Sequence, residues 1–178
     1  MGDTQYVFGY GSLAADLAGG HVAELHGYRR FWGVAMDNRV DVCDYKHYRL
    51  RSDGSRPPVF VAFLDVVADA DAVTRGVCVP VQAAELPAID RRERNYDRVD
   101  VTDAVAPAPG TVWAYVGTAA GRRRLRRARE ADRAVVSRDY HERTRAAFAA
   151  LGAGALTEFE RTAALDGLPV WELERLSS

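Results

Sequence analysis

Two short groups of residues in this 178-residue chain have types and spacings that chemistry can use. The first is Tyr6-Val7-Phe8-Gly9-Tyr10-Gly11-Ser12-Leu13, an apolar strand that runs straight into a turn with glycines on either side of a tyrosine. Glycine has no Cβ and tolerates positive φ, so the chain can bend sharply there and aim successive N–H groups at one point. Such a nest holds an anion, either a carboxylate or a phosphate. The second group lies in Ala84-Glu85-Leu86-Pro87-Ala88-Ile89-Asp90-Arg91-Arg92-Glu93-Arg94-Asn95-Tyr96. Proline is tolerated only in the first turn of a helix, which starts this one near Ala84 and puts Leu86, Ile89 and Glu93 on one face. A carboxylate on an apolar stripe stands out of water and is suited to taking and returning protons. Arg91, Arg92 and Arg94 fall mostly off that stripe and read as solvated residues.

Each group has a plainer alternative. Gly9-x-Gly11-x-x-Ala14 satisfies the dinucleotide-binding fingerprint with alanine in third place. That fold needs a helix of about ten residues after the turn to close its crossover. Gly19-Gly20 ends anything begun at Ser12 within two turns, so the nucleotide reading loses. A glycine-rich bend with no ligand stays open on spacing alone, as does a surface glutamate paired with a neighbouring arginine.

The elements that must position these residues are short strands first and helices later. Strands are expected over Gln5–Gly9, Val22–Met36, Tyr45–Arg51, Val59–Val67, Thr74–Val79, Tyr96–Val101 and Thr111–Val116. A helix is expected over Ala83–Arg94, another from about Ser137 to Leu151, and a third from Leu156 to Ala164 after the Gly152-Ala153-Gly154 stop. Strands that outnumber crossovers imply an α+β protein whose mixed β-sheet curls into a partial barrel with helices packed outside. Ser52-Asp53-Gly54-Ser55-Arg56-Pro57-Pro58 reads as an exposed loop. No linker is long enough to divide the chain, so residues 1–178 are expected to form one domain.

Composition narrows the classes of function. A chain that is 48% hydrophobic can bury a sizeable core. The net charge of −1 argues against a general nucleic-acid binder. Cys43 and Cys78 are far apart and have no metal-ligand spacing, which argues against a disulfide framework or a zinc site and fits a reducing cytoplasm. No run approaches the ~20 apolar residues of a membrane span, and no leader pattern opens the chain, so a cytoplasmic protein is expected. Lys46 is the only lysine against many arginines, a bias that points to a GC-rich genome.

The two groups, joined by a third, resemble the gamma-glutamylcyclotransferase-like proteins. Tyr6-Val7-Phe8-Gly9-Tyr10-Gly11-Ser12-Leu13 looks like that family's signature strand and loop, and Ile89-Asp90-Arg91-Arg92-Glu93-Arg94-Asn95-Tyr96 like the helix carrying its catalytic glutamate. Ser137-Arg138-Asp139-Tyr140 is similar to its Ser-x-x-Tyr segment, and the three occur in the family's order, spanning roughly Tyr6 to Ala164. The resemblance implies an enzyme that releases 5-oxoproline from a small γ-glutamyl compound by intramolecular aminolysis. It implies Glu93 as general acid and base, and Tyr10, Gly11, Ser12, Leu13 and Tyr140 as substrate-binding residues, with no metal or organic cofactor. Leu13 leads into Ala14-Ala15-Asp16 rather than the bulky Ile-Trp pair of the glutathione-specific branch, which favours a γ-glutamyl amine or amino acid. The alternative is a non-catalytic module that binds a small anionic ligand on the same fold. A buried Glu93 favours the enzyme. Nothing in the sequence sets an oligomeric state.

Other residues read more plainly. The block Arg122-Arg123-Arg124-Leu125-Arg126-Arg127-Ala128-Arg129 is expected to be a solvated loop, since Glu130 and Asp132 follow it and no aromatic residues are interleaved for base stacking. His21, His26, His47 and His141 show no ligand spacing. Ser12 lacks the setting of a hydrolase nucleophile and reads as a loop hydrogen-bonder. Tyr140 could equally pack between helix and sheet. Tyr45, Tyr48 and Asp37-Asn38-Arg39 are expected to line the outer cleft, where a leaving group would sit.

Overall fold

The computed structural model describes residues 4–16, 19–43 and 45–177. In chain order the elements are β1 (Thr4–Gly9), α1 (Leu13–Asp16), β2 (His21–Asp37), β3 (Lys46–Leu50), β4 (Phe60–Gln82), α2 (Leu86–Arg92), β5 (Tyr96–Asp100), β6 (Val105–Ala106) and β7 (Val112–Gly117). Then come α3 (Ala119–Glu130), β8 (Ala134–Ser137), α4 (Arg138–Ala150), α5 (Ala153–Thr162), β9 (Val170–Trp171) and β10 (Leu173–Ser177). The main sheet runs β5-β7-β1-β4-β2-β6, with β8 on β4 and β9 on β8, while β10 and β3 form a separate two-stranded sheet. Parallel pairs (β1 with β7, β4 with β8, β8 with β9) sit among antiparallel ones, so the sheet is mixed. This is the curled α+β architecture that the strand count implies.

The curl comes from β4. The sequence signals two strands, Val59–Val67 and Thr74–Val79, yet the structure has one continuous strand from Phe60 to Gln82. The ladder with β2 jumps between Tyr28↔Ala68 and His26↔Val73, and shifts again between Trp32 and Val34. The polar residues that suggest a break therefore mark an irregularity that bends the strand rather than a turn that ends it. One half of β4 then pairs β8 and the other half pairs β1, which carries the sheet around its own apolar face.

The arginine block also differs from expectation. It is helix α3, not a loop, capped by the Thr118 hydroxyl accepting from the Gly121 N–H at 3.0 Å. Gly121, Leu125 and Ala128 recur at helical spacing and face the core, while Arg123, Arg126 and Arg127 are exposed. Arg122 and Arg124 turn inward. Arg122 Nε donates to Asp65 at 2.7 Å, and the fully buried Asp65 also accepts from the Gly117 and Val66 N–H groups, each at 2.7 Å. A Cβ on Gly117 would come within 2.3 Å of that carboxylate, so the strand can approach only as glycine. On the opposite side α4 packs on α5 through stacked Phe148 and Phe159, with the buried Arg30 guanidinium 4.5 Å from the Phe148 ring centroid and paired with Glu158 at 3.3 Å.

Candidate active site

Strand β1 delivers the chain into the glycine turn, where two hydrogen bonds close the first turn of α1: Ala14 N–H to Gly11 O at 3.0 Å and Ala15 N–H to Ser12 O at 2.9 Å. The amides of Ser12 and Leu13 lie outside that bonding, as the first N–H groups of any helix do. Close approach explains the glycines. A Cβ on Gly9 would meet the Ala14 nitrogen at 2.7 Å, and one on Gly11 would meet the Tyr140 hydroxyl at 3.3 Å.

Helix α2 begins with Pro87 in its first turn, as its sequence requires, and Leu86 packs into a cluster with Val7, Leu13, Val81 and Tyr115. Glu93 is the residue that caps its C-terminus (φ −94, ψ 47), its N–H still bonded to Ile89 O at 2.9 Å, before a turn leads into β5. The helix is thus shorter than Ala83–Arg94. Its first three residues, Ala83–Glu85, form a 3₁₀ turn. The Glu93 side chain is 11% exposed and pairs with Arg92 Nε at 3.1 Å, so the two readings that compete in the sequence are both met in part. It is buried, and it has an arginine partner. Arg92 itself departs from expectation. It is not a free surface residue but a bridge that also holds Asp16 of α1, tying the glycine turn to the glutamate.

Glu93 shares a narrow cleft with Tyr10, Gly11, Ser12, Leu13, Leu64, Tyr96, Tyr115 and Tyr140. The expected glutamate and the five expected substrate-binding residues, Tyr10, Gly11, Ser12, Leu13 and Tyr140, are therefore in one place. The Tyr140 hydroxyl accepts from the Leu64 N–H at 3.4 Å and shares a hydrogen bond with the Ser12 side chain. Its ring packs edge-on against Phe63 at 5.2 Å and Trp32 at 5.9 Å, so Tyr140 is both a cleft residue and a packing residue. Tyr10 donates to Tyr115 O, Tyr96 to Leu64 O at 2.6 Å, and Tyr115 to Asp90 Oδ1 at 2.8 Å. Burial holds all four phenols well above the usual tyrosine range, and the negative charge of Glu93 adds to the shift in each. Glu93 thus shares its cleft with four phenols that stay neutral.

Leu64, Tyr96 and Tyr115 escape sequence reasoning because their approach depends on strand pairing between distant segments. The inward arginines of α3 escape it too. Arg124 donates to Asn95 Oδ1 at 3.0 Å and Ala35 O at 2.7 Å, which anchors the turn just beyond Glu93. Of the residues expected at the outer cleft, Tyr48 lines a second cavity of about 500 Å³ that shares Tyr140 with the first. Asp37 and Tyr45 line a separate hollow with Asn95 and Arg124. Asn38 does not line a cleft. It is fully buried, exchanging hydrogen bonds with the Tyr48 backbone at 2.8 and 2.9 Å. Among the described residues no His, Cys, Asp and Glu cluster has the makings of a metal site, and no helix is long and apolar enough to cross a membrane.

No protein-family model matches this chain, and no curated protein matches its sequence. Among solved structures it is similar to one described as a gamma-glutamyl cyclotransferase, with a TM-score of 0.56 and 14% identity over 96% of this chain and 90% of that one. It is similar also to YkqA from Bacillus subtilis, with a TM-score of 0.59 and 15% identity. That match covers 94% of this chain but only 56% of YkqA. Likeness at such identity establishes a shared fold.

Proposed function

Starting from a chain that has the gamma-glutamyl cyclotransferase-like fold, we propose that it releases 5-oxoproline and a free amine or amino acid from a γ-glutamyl compound. The observation that carries this reading is the placement of the buried Glu93 carboxyl in one cleft with the Gly11–Leu13 turn and the Tyr140 hydroxyl.

The chemistry follows from those groups. A substrate α-amine, with a reference pKa of ~8, is mostly protonated near neutral pH and must lose a proton before its nitrogen can attack. Glu93 takes that proton. The nitrogen attacks the γ-carbonyl of the same molecule, a five-membered ring closes, and the γ C–N bond breaks. Glu93 returns the proton to the departing nitrogen, which leaves as an amine rather than an amide anion, and the ring nitrogen sheds its own second proton to water, so that the lactam is released neutral. Amides of the glycine turn hold the glutamyl carboxylate or the γ-carbonyl oxygen as charge develops on it. Because ring closure is intramolecular, holding the glutamyl chain folded supplies much of the acceleration. The inner cleft has a volume of only about 20 Å³, roughly that of one water, so the glutamyl chain enters by displacing side chains, of which Tyr140 stands at the boundary with the larger cavity.

The test is 5-oxoproline release from a panel of γ-glutamyl amines and amino acids, glutathione included. Release by the wild-type protein and its loss in Glu93→Gln support the reading. Turnover that survives Glu93→Gln overturns it. Silence across the panel, with tight binding of 5-oxoproline or glutamate, favours instead a binding module on this fold.

A further inference from the structure

Adjacent residues on a helix point in different directions, and side chains meet at spacings of three and four rather than one. Arg92 and Glu93 meet all the same, with Arg92 Nε 3.1 Å from Glu93 Oε1. The end of α2 allows it. Arg92 is the last residue of that helix, and Glu93 has already left helical geometry at φ −94 and ψ 47. A carboxylate at the C-terminal end of a helix also stands at the wrong end of its dipole, so a cation at hand helps to hold it there. Among the described residues Arg92 is the one cation within ion-pair distance of Glu93. Its neighbours in sequence do other things: Arg91 is exposed, and Arg94 donates to Cys43 O at 3.1 Å.

The same guanidinium reaches across to α1, where Nη2 donates to Asp16 Oδ2. Two carboxylates, both nearly buried, thus share a guanidinium that is about a third exposed. Asp16 ends the short helix that grows out of the glycine turn, and Glu93 ends the helix that brings the carboxyl to the cleft. The bridge therefore spans the gap between the amides that would hold a substrate and the group that would move its proton.

We propose that Arg92, anchored by Asp16, is a positioning residue for Glu93, holding Oε1 so that Oε2 takes the proton from the α-amine and returns it to the leaving nitrogen. The inference rests on the cyclotransferase reading. Arg92 touches the carboxylate and not the substrate, so it acts through Glu93 alone. A carboxyl free to swing would lose the alignment on which transfer between two nitrogens in turn depends.

An ion pair of this exposure could also be a surface contact of little worth, and chemical rescue separates the two roles. The substrate is the compound of the γ-glutamyl panel that the wild type turns over fastest. Arg92→Ala should lower kcat by about tenfold with KM little changed, the smaller end of what a charge-assisted contact is worth because the group is partly hydrated. Guanidinium ion, well below denaturing concentration, should restore kcat in a saturable way, and sodium chloride at equal ionic strength should not. Arg92→Lys keeps the charge but not the fork, and should recover part of the loss. Asp16→Asn should lower kcat less, and adding it to Arg92→Ala should cost nothing more, since its effect passes through the guanidinium. Asp16 also meets Arg143 at 3.6 Å, and an effect carried by that contact would persist in the double variant. With an active wild type, unchanged kcat in Arg92→Ala, a loss that guanidinium leaves in place, or additive losses overturn this role and leave the reaction standing. A wild type that releases no 5-oxoproline overturns the reaction and the role together.

Discussion

The two walls of the cleft are built on opposite principles. Around Glu93 nearly every polar group is spoken for: Tyr10, Tyr96 and Tyr115 donate to protein oxygens, Arg92 holds both Glu93 and Asp16, and Arg124 holds Asn95. Across Tyr140 the larger cavity is lined instead by solvent-exposed charges of both signs, Arg51, Asp139, Glu142, Arg143, Glu174 and Arg175. Groups whose bonds are satisfied internally are held in one geometry, whereas exposed, hydrated charges contribute little to holding their own positions. The comparison teaches that order is concentrated on the Glu93 side of Tyr140.

The largest test of the inner wall is Glu93→Gln, which keeps shape and hydrogen-bonding capacity but cannot carry the proton. Turnover should fall by about 10²–10⁴-fold while calorimetry still detects ligand binding. Next comes the support behind that wall. Asp65→Ala strips the partner from Arg122 and from the Gly117 and Val66 amides, and should lower unfolding free energy in urea by about 3 kcal/mol. Arg122 is a third exposed and can rehydrate, which keeps the cost at the lower end. Gly11→Val should weaken binding of a glutamyl ligand by about 1–2 kcal/mol, because the branched side chain is forced against the Tyr140 hydroxyl. An unchanged affinity would place the binding turn elsewhere.

Smaller effects sharpen the contrast. Arg124→Ala should reduce kcat/KM by roughly tenfold through the loosened Asn95 turn, the net worth of about one hydrogen bond, whereas exposed Arg123→Ala should change nothing measurable. Equal effects would show that α3 acts only through its bulk charge. A titration behind the Phe63 ring gives the smallest effect. A lysine such as Lys46, whose folded pKa of about 8 lies below its unfolded value, makes the protein gain stability between about 8 and the ordinary lysine value, because the unfolded chain binds the extra proton there. Lys46→Met should flatten that rise in urea unfolding measured across this range.

What the sequence reveals is set by how far apart the contributing residues lie. The Tyr6–Leu13 strand and turn, the proline-started α2 and the α4–α5 pair carry their signals locally, and the structure has each element, although α2 is shorter than expected and α5 starts at Ala153, inside the expected glycine stop rather than at Leu156. Glu93 can be singled out because it breaks a stripe made by Leu86 and Ile89 only a turn or two away. Helix α3 is misread because arginine at most of its positions hides the period of Gly121, Leu125 and Ala128. The single strand β4 is misread because a bulge and a turn leave the same polar gap. Tyr115 and Leu64 join the cleft only through pairings across the sheet, and Arg175 comes to lie opposite Tyr48 through a register linking the chain's last strand to its third. No local pattern contains that register.

Replacement of lysine by arginine almost everywhere leaves the chain with one ε-amine, packed against the Phe63 and Tyr45 rings. With a pKa of about 8 that amine is far more often unprotonated at mildly alkaline pH than an ordinary lysine, and so more reactive toward acylating reagents. Apart from the chain's α-amine, labelling would report on one place alone. The protein carries its own chemical reporter, and the rate at which a reagent modifies it measures, without any mutation, how often the Phe63 packing behind Tyr140 opens.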